Sequence, residues 1–334
     1  MLVLALAIGV ALLFALTNGF HDSANAIAAL VATGAARPLS AVILAATFNI
    51  LGPLLVGTAV ANTVGGIVQL PNDQVLAAVG AALTGAVAWN MITWWRGLPS
   101  SSSHALVGGL VGAGVLTGGL DAINWGGLDG IHPVGVFGVF IALAVSPVLG
   151  FTGAFVLDRL AVLSLRRARR RVNSTIRRSE WGTAAALSFS HGANDGEKAM
   201  GVITLLLVAT GHLPTFAVPL WVKLAAAGAL TIGTAFGGWR IVRTIGRGIY
   251  RLRPLDGLVS QSSSAAVILG AAVVGGPVST THVVASSVVG LGTAQRSHHV
   301  HWAVVKEMGL AWLITLPAAA ALAALALPLW RFIA

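Results

Sequence analysis

The chain of 334 residues has no cysteine, a single tyrosine and only 9% charged residues. Without thiols there are no disulfides, no cysteine nucleophile and no thiolate metal site. A soluble domain carries about 25% charged residues, so this composition excludes a soluble enzyme, a DNA-binding domain and a disordered chain. What is abundant is apolar: 56% of the residues are hydrophobic and the mean hydropathy is +0.87. Too few polar groups remain to cover a water-facing surface. The fold class is therefore all-α, a polytopic helical membrane protein. The 41 glycines suit close helix packing in lipid.

The net charge of +10 is not spread evenly. Eight arginines fall between Arg159 and Arg178, and five between Arg240 and Arg253. Between apolar spans such clusters read as cytoplasmic loops, with anionic lipid rather than nucleic acid as partner. Apolar stretches of about 20 residues, the length a bilayer core requires, lie near 1–34, 38–61, 75–95, 100–120 and 132–157. A second set lies near 181–211, 215–239, 260–276, 278–294 and 302–330. The pattern is about five plus five membrane segments. The first of each five is long and carries polar residues in its middle, so a broken or re-entrant helix is expected there. With both termini outside, the basic residues fall on cytoplasmic loops, leaving only Lys198, Lys223 and Arg331 elsewhere. An odd number of crossings per half makes the second half run opposite to the first. The expected organisation is a membrane repeat over 1–158, an Arg-rich cytoplasmic linker over 159–180 and an inverted repeat over 181–334. No cleavable signal peptide is expected.

Self-comparison supports the repeat. HDSANA (His21–Ala26) matches NDGEKA (Asn194–Ala199), which places Asp22 on Asp195 at an offset of 173. GTA at Gly57–Ala59 matches GTA at Gly233–Ala235. LPSSSSHALVGGLVG (Leu98–Gly112) matches GPVSTTHVVASSVVG (Gly276–Gly290) at an offset of 178. An inverted repeat of this kind belongs to secondary transporters, with the substrate site near the midplane where the halves meet.

Charges at membrane depth cost at least about 2.5–3.5 kcal/mol each and are kept where they pair or handle ions. Asp22 and Asn25, and Asn194, Asp195, Glu197 and Lys198, interrupt apolar stretches in this way. Carboxylates and amide carbonyls are hard oxygen ligands, suited to Na⁺ or to a proton relay. Asp22, Asp195 and Glu197, with Asn25 and Asn194, are the cation-coupling candidates. Na⁺ would lie at Asp22, Asn25, Asn194 and Asp195. Ser101, Ser102, Ser103, Ser279, Thr280 and Thr281 each precede or open an apolar helix. A helix N-terminus offers free N–H groups and a positive dipole end, and the hydroxyls add neutral donors. Two such segments at matched positions form a candidate oxyanion site, with Asn25 and Asn194 beside it. His21, His104, His191 and His282 flank these motifs and could relay protons. His298, His299 and His301 read as a solvated face. Trp94, Trp95, Trp302 and Trp330 fit interfacial belts. Ser, His and Asp are present as a triad would need, but no G-x-S-x-G elbow exists and each element is duplicated, so no enzyme is expected.

The segments NGFHDSANAIA and SHGANDGEKAMGVI, with GLPSSSSHALVG and GGPVSTTHVVASSVVG, resemble the inorganic phosphate transporter (PiT) family over both halves. The resemblance implies an inverted-repeat phosphate symporter driven by Na⁺ or H⁺, without a bound cofactor and often a homodimer. Bacterial members of this look often carry neutral metal–phosphate complexes. Two departures bear on coupling. His21 stands where the family usually shows Asn, and Glu197–Lys198 stands where Ala–Asn is common, a Gln–Lys version occurring in bacterial members. Lost neutral oxygens count against a complete Na⁺ cage, so H⁺ is favoured over Na⁺. Hydrogen phosphate can donate a hydrogen bond to a carboxylate and sulfate cannot, so Asp22 and Asp195 would select phosphate. A sulfate or other oxyanion permease, or an anion channel, remains the alternative.

Overall fold

The computed structural model describes residues 1–334 except Arg170 and Gly237, and only the backbone of Ser23, Ala24 and Arg247. In chain order the helices are α1 (Leu2–Ala32), α2 (Pro38–Leu55), α3 (Ala59–Gly65), α4 (Asn72–Arg96), α5 (Ser102–Gly118) and α6 (Gly135–Leu165). Then follow α7 (Val172–Ala209), α8 (Leu220–Phe236), α9 (Trp239–Arg243), α10 (Pro254–Val274), α11 (Thr280–Arg296) and α12 (Trp302–Ile333). A short antiparallel hairpin, β1 (Gly127–Asp129) on β2 (His132–Val134), leads into α6.

Among the described residues, six helices are long and apolar enough to cross a membrane: α1, α2, α4, α6, α10 and α12. The bent pair α8 and α9, at 62°, makes a seventh if counted as one span. These spans make the chain a multi-pass membrane protein. The interruptions are not where the sequence suggested. Both α1 and α7 run unbroken through their polar motifs, over 31 and 38 residues. The shorter helices beside the motifs are α5 and α11, of 17 residues each, at the lower end of what crosses a bilayer core. The Arg-rich stretch is also less of a loop than its composition suggested. Helix α6 continues to Leu165 and α7 starts at Val172, so Arg159, Arg177 and Arg178 lie on helices.

The two short helices begin alike because their local sequences dictate it. Helices α4 and α10 end at Gly97 and Gly275, with φ of +67° and +81°. Only glycine takes that conformation without strain, so each stops its helix and turns the chain inward. A proline segment follows, and then an N-cap serine. Ser101 Oγ accepts from the His104 N–H at 3.1 Å, and Ser279 Oγ accepts from the His282 N–H at 3.3 Å. The GTA pair has no such correspondence: Gly57 has a φ of +129° after α2 ends, whereas Gly233 lies inside α8.

Packing is reciprocal. Helix α1 lies along α8 as α7 lies along α2, and α5 lies along α12 as α11 lies along α6. The crossings are close. A Cβ at Gly19 would stand 2.1 Å from the Leu230 carbonyl oxygen, and one at Gly192 would stand 2.2 Å from that of Asn49. Gly19 and Gly192 share the 173-residue spacing of Asp22 and Asp195. The apolar interior forms two cores. Helix α1 contributes Leu4–Ala15 to the first and Ala26–Leu30 to the second. Helix α7 runs the other way, with Ala184 and Leu187 in the second and Ala193–Leu207 in the first. The body of α5 joins the first core and that of α11 the second. Trp330 departs from the interfacial belt its position suggested. It is buried over Gly80, and its indole N–H donates to Thr84 Oγ1 at 3.0 Å.

Gly192→Ala forces backbone against backbone and is expected to cost about 1–3 kcal/mol of stability. Gly182→Ala, on the same helix with nothing near its Cβ position, is expected to lose nothing. Thermal midpoints of the two variants in detergent check the difference.

Candidate functional site

The polar motifs converge between the two apolar cores. The rings of His104 and His282, each in the first turn of its short helix, lie 4.6 Å apart between centroids. Trp312 of α12 stacks on His282 at 3.8 Å and donates its indole N–H to the Pro99 carbonyl at 2.9 Å. The starts of α5 and α11 therefore meet, and their bodies diverge into opposite cores.

Asp22 of α1 accepts from Ser102 Oγ at 2.9 Å and from Thr281 Oγ1 at 2.8 Å. His21 Nδ1 pairs with the same carboxylate at 2.9 Å. On its far side His21 Nε2 reaches Thr93 Oγ1 at 3.2 Å and Ser100 Oγ at 3.3 Å. Asp195 of α7 accepts from Thr280 Oγ1 at 3.1 Å, pairs with His191 Nε2 at 3.0 Å and accepts from Lys198 Nζ. His191 is held in turn by Asn49 Oδ1 at 3.1 Å. Asn25 Nδ2 donates to Thr281 Oγ1 at 2.9 Å, and Asn194 Nδ2 donates to the Gly276 carbonyl at 2.9 Å. Asp22, Asn25, Ser102, Thr280, Thr281, Asp195 and Lys198 are all at most 2% exposed. Charges this deep persist because each is paired. Ligand atoms of Asp22, His191 and Asp195 lie within 4.8 Å of one another, a grouping able to hold a metal ion.

Most of the expected residues are thus in one place. Ser101 and Ser279 are there as caps. Ser103 donates to the Val278 carbonyl at 2.8 Å and joins the cluster through Lys198. Glu197 is turned elsewhere. Its Oε2 accepts from the Val60 N–H at 2.8 Å and the Ala61 N–H at 3.4 Å, at the start of α3. Two residues from Asp195 on a helix, it points to a different face, and there it completes two otherwise unpaired donors of α3. His298 and His299 are exposed, as a solvated face requires. Sequence reading missed Asn49, Thr93, Ser100 and Trp312. Asn49 had a signal, a lone amide inside an apolar helix, and Ser100 lay within the duplicated LPSSSSH run.

The sequence profile described as the phosphate transporter family matches residues 18–323. The chain belongs to that family. A "Probable low-affinity inorganic phosphate transporter" of Bacillus subtilis is 42% identical over 323 residues, covering 95% of this chain and 93% of its own. A protein of the same description from Rhizobium meliloti is 42% identical over 320 residues, with 95% and 93% covered. Among solved structures, "The sodium-dependent phosphate transporter" superposes with a TM-score of 0.89 at 24% identity, over 100% of both chains. The fold is shared. The relatives are named as transporters, not enzymes, and phosphate is the substrate of the family.

Thr281 ties the halves together, since it accepts from Asn25 and donates to Asp22. Thr281→Val takes one donor from Asp22, which keeps Ser102 and His21, and leaves Asn25 Nδ2 only its longer contact to Thr280 Oγ1 at 3.4 Å, a cost of about 1–3 kcal/mol in all. The variant is expected to lower the thermal midpoint and to abolish most phosphate uptake, and Thr281→Ser is expected to restore both. Glu197→Ala is expected to lower the midpoint by loss of the α3 cap, and Glu197→Gln, which keeps an acceptor oxygen, to lose less.

Proposed function

We propose that the chain is a secondary active symporter of inorganic phosphate, with H⁺ favoured over Na⁺ as the driving ion. Its two halves, 1–158 and 181–334, would be inverted repeats joined by the Arg-rich cytoplasmic stretch 159–180, with both termini outside. The opposite courses of α1 and α7 through the two cores support the inversion. Lipid, and a second copy of the chain, are the expected neighbours in the membrane.

The observation that carries this reading is the meeting of two hydroxyl-capped helix starts over a pair of buried aspartates. Each helix end brings unpaired N–H groups and the positive end of a dipole, which suit an oxyanion. Ser101, Ser102, Ser103, Ser279, Thr280, Thr281, Asn25 and Asn194 are the proposed phosphate-binding set. Asp22 and Asp195 are the proposed coupling sites. A hydroxyl has one hydrogen to donate. While Ser102 and Thr281 give theirs to Asp22, they cannot give them to phosphate. A cation that neutralises Asp22 frees both hydroxyls for the anion, and the anion then favours the cation. That reciprocity is the thermodynamic content of symport. Each carboxylate holds an imidazole, His21 on Asp22 and His191 on Asp195, which supports a proton over a Na⁺ shell of neutral oxygens.

The test is uptake of radiolabelled phosphate into proteoliposomes under pH and Na⁺ gradients imposed separately, with excess sulfate as competitor. Concentrative uptake driven by the pH gradient alone is expected. Equilibration without accumulation would mean a channel, and sulfate transport in place of phosphate would mean another oxyanion permease. A related expectation concerns selectivity. Hydrogen phosphate can donate to Asp22 and Asp195 and sulfate cannot. Asp22→Asn and Asp195→Asn are therefore expected to narrow the preference for phosphate over sulfate, read as competition in phosphate binding.

A further inference from the structure

The two half-sites are built on one plan, and they differ at one charge. Asp22 and Asn25 lie three residues apart on α1, as Asp195 and Lys198 do on α7. The 173-residue offset that pairs the aspartates pairs Asn25 with Lys198. Their partners are equivalent too, at the offset of 178. Ser102 donates to Asp22 as Thr280 donates to Asp195. Asn25 donates to Thr281 as Lys198 donates to Ser103, at 2.9 and 2.6 Å. An amide on one half is thus an ammonium on the other.

The surroundings of that ammonium are those of a small monovalent cation. Lys198 Nζ is 1% exposed as part of its residue and donates to three oxygens: a carboxylate of Asp195, the Ser103 hydroxyl and the Val278 carbonyl at 2.8 Å. An ammonium has three hydrogens, so none is left to give to an anion. Ser103 donates onward to the Val278 carbonyl and so can only accept from Lys198. The three ligands are hard oxygens of the kind that bind Na⁺. Asp22, by contrast, has no lysine.

We propose that Lys198 is a covalently tethered coupling cation: its ammonium fills, in the second half, the place a mobile cation takes in the first. The transporter would then use a mobile cation only at Asp22, and the second half would be indifferent to Na⁺. Lys198 would also not be a phosphate ligand, although among the described residues it is the one lysine or arginine in the cluster. The inference rests on the phosphate symport reading for its transport readout, but its cation readout is separate.

The test compares wild type with Lys198→Asn, which places on α7 the residue that α1 already has. Phosphate uptake in proteoliposomes and the thermal midpoint in detergent are both measured from zero to about 150 mM Na⁺, with choline holding ionic strength constant. Wild type is expected to respond to Na⁺ with a Hill coefficient no greater than about 1, or not at all. Lys198→Asn is expected to lose uptake by about tenfold or more without Na⁺, because the buried Asp195 carboxylate loses its ammonium partner and keeps only Thr280 and His191. Added Na⁺ is expected to restore it, and to raise the midpoint of the variant more than that of wild type even without phosphate.

Undiminished uptake by the variant in the absence of Na⁺ would overturn the proposal. So would a folded variant that Na⁺ neither rescues nor stabilises, since Lys198 would then be a ligand or a packing residue. If the variant does not fold, wild type decides alone: a Na⁺ Hill coefficient near about 2 means that both halves take a mobile ion. Absence of any phosphate uptake by wild type would fail the symport reading, while the Na⁺ effect on the two midpoints would still read the cation position.

Discussion

At the centre of the molecule the carboxylates of Asp22 and Asp195 are buried away from water, and their surroundings are arranged to make that tolerable. Asp22 and Asp195 each draw in a hydroxyl from a short helix, an imidazole from their own helix and a further donor. The donors come from different parts of the chain, so satisfying the carboxylates fixes how those parts meet. Thr281 on α11 bonds Asp22 on α1, and Ser103 on α5 bonds Lys198 on α7. A buried network of this kind has one good arrangement, because any slip leaves a charge unpaired.

The apolar scaffold brings these groups to the same depth. Glycines at the crossings of α1 with α8 and α7 with α2 let backbones touch, which holds the two long helices side by side across the centre. Gly97 and Gly275 turn the chain inward just before the short helices begin. The starts of those helices lie inside the protein, where an N-cap hydroxyl accepts one N–H group of each. The remaining N–H groups of such a helix end, held in a dry site, offer what an oxyanion prefers.

The two aspartate motifs differ in charge. Asn25 and Lys198 stand at the same 173-residue offset as Asp22 and Asp195, and Lys198 gives Asp195 an ammonium partner, whereas the described partners of Asp22 include no lysine. Motifs of unequal charge can bind ions unequally within one fold. Glu197 illustrates the opposite case. It stands beside the site in sequence, but one of its carboxylate oxygens caps α3 on another face of α7.

Much of this was legible in the residues. Hydropathy identified a polytopic helical protein, because a bilayer imposes its thickness on any chain that crosses it. The duplicated HDSANA and LPSSSSH segments marked Asp22, Asn25, Asp195 and the hydroxyl runs, because polar groups at membrane depth must be used. The matching N-caps at Ser101 and Ser279 followed from the same local sequence. Tertiary structure decided the rest. Unbroken α1 and α7 could not be told from broken helices, since a polar residue inside a helix breaks nothing when partners arrive from other helices. The face on which Glu197 lies, the burial of Trp330, and the roles of Asn49 and Thr93 depend on which neighbour packs where. Composition and local pattern determine which groups must be satisfied. Only the folded bundle determines by whom, because the partners of a buried charge are close in space and far apart in the chain.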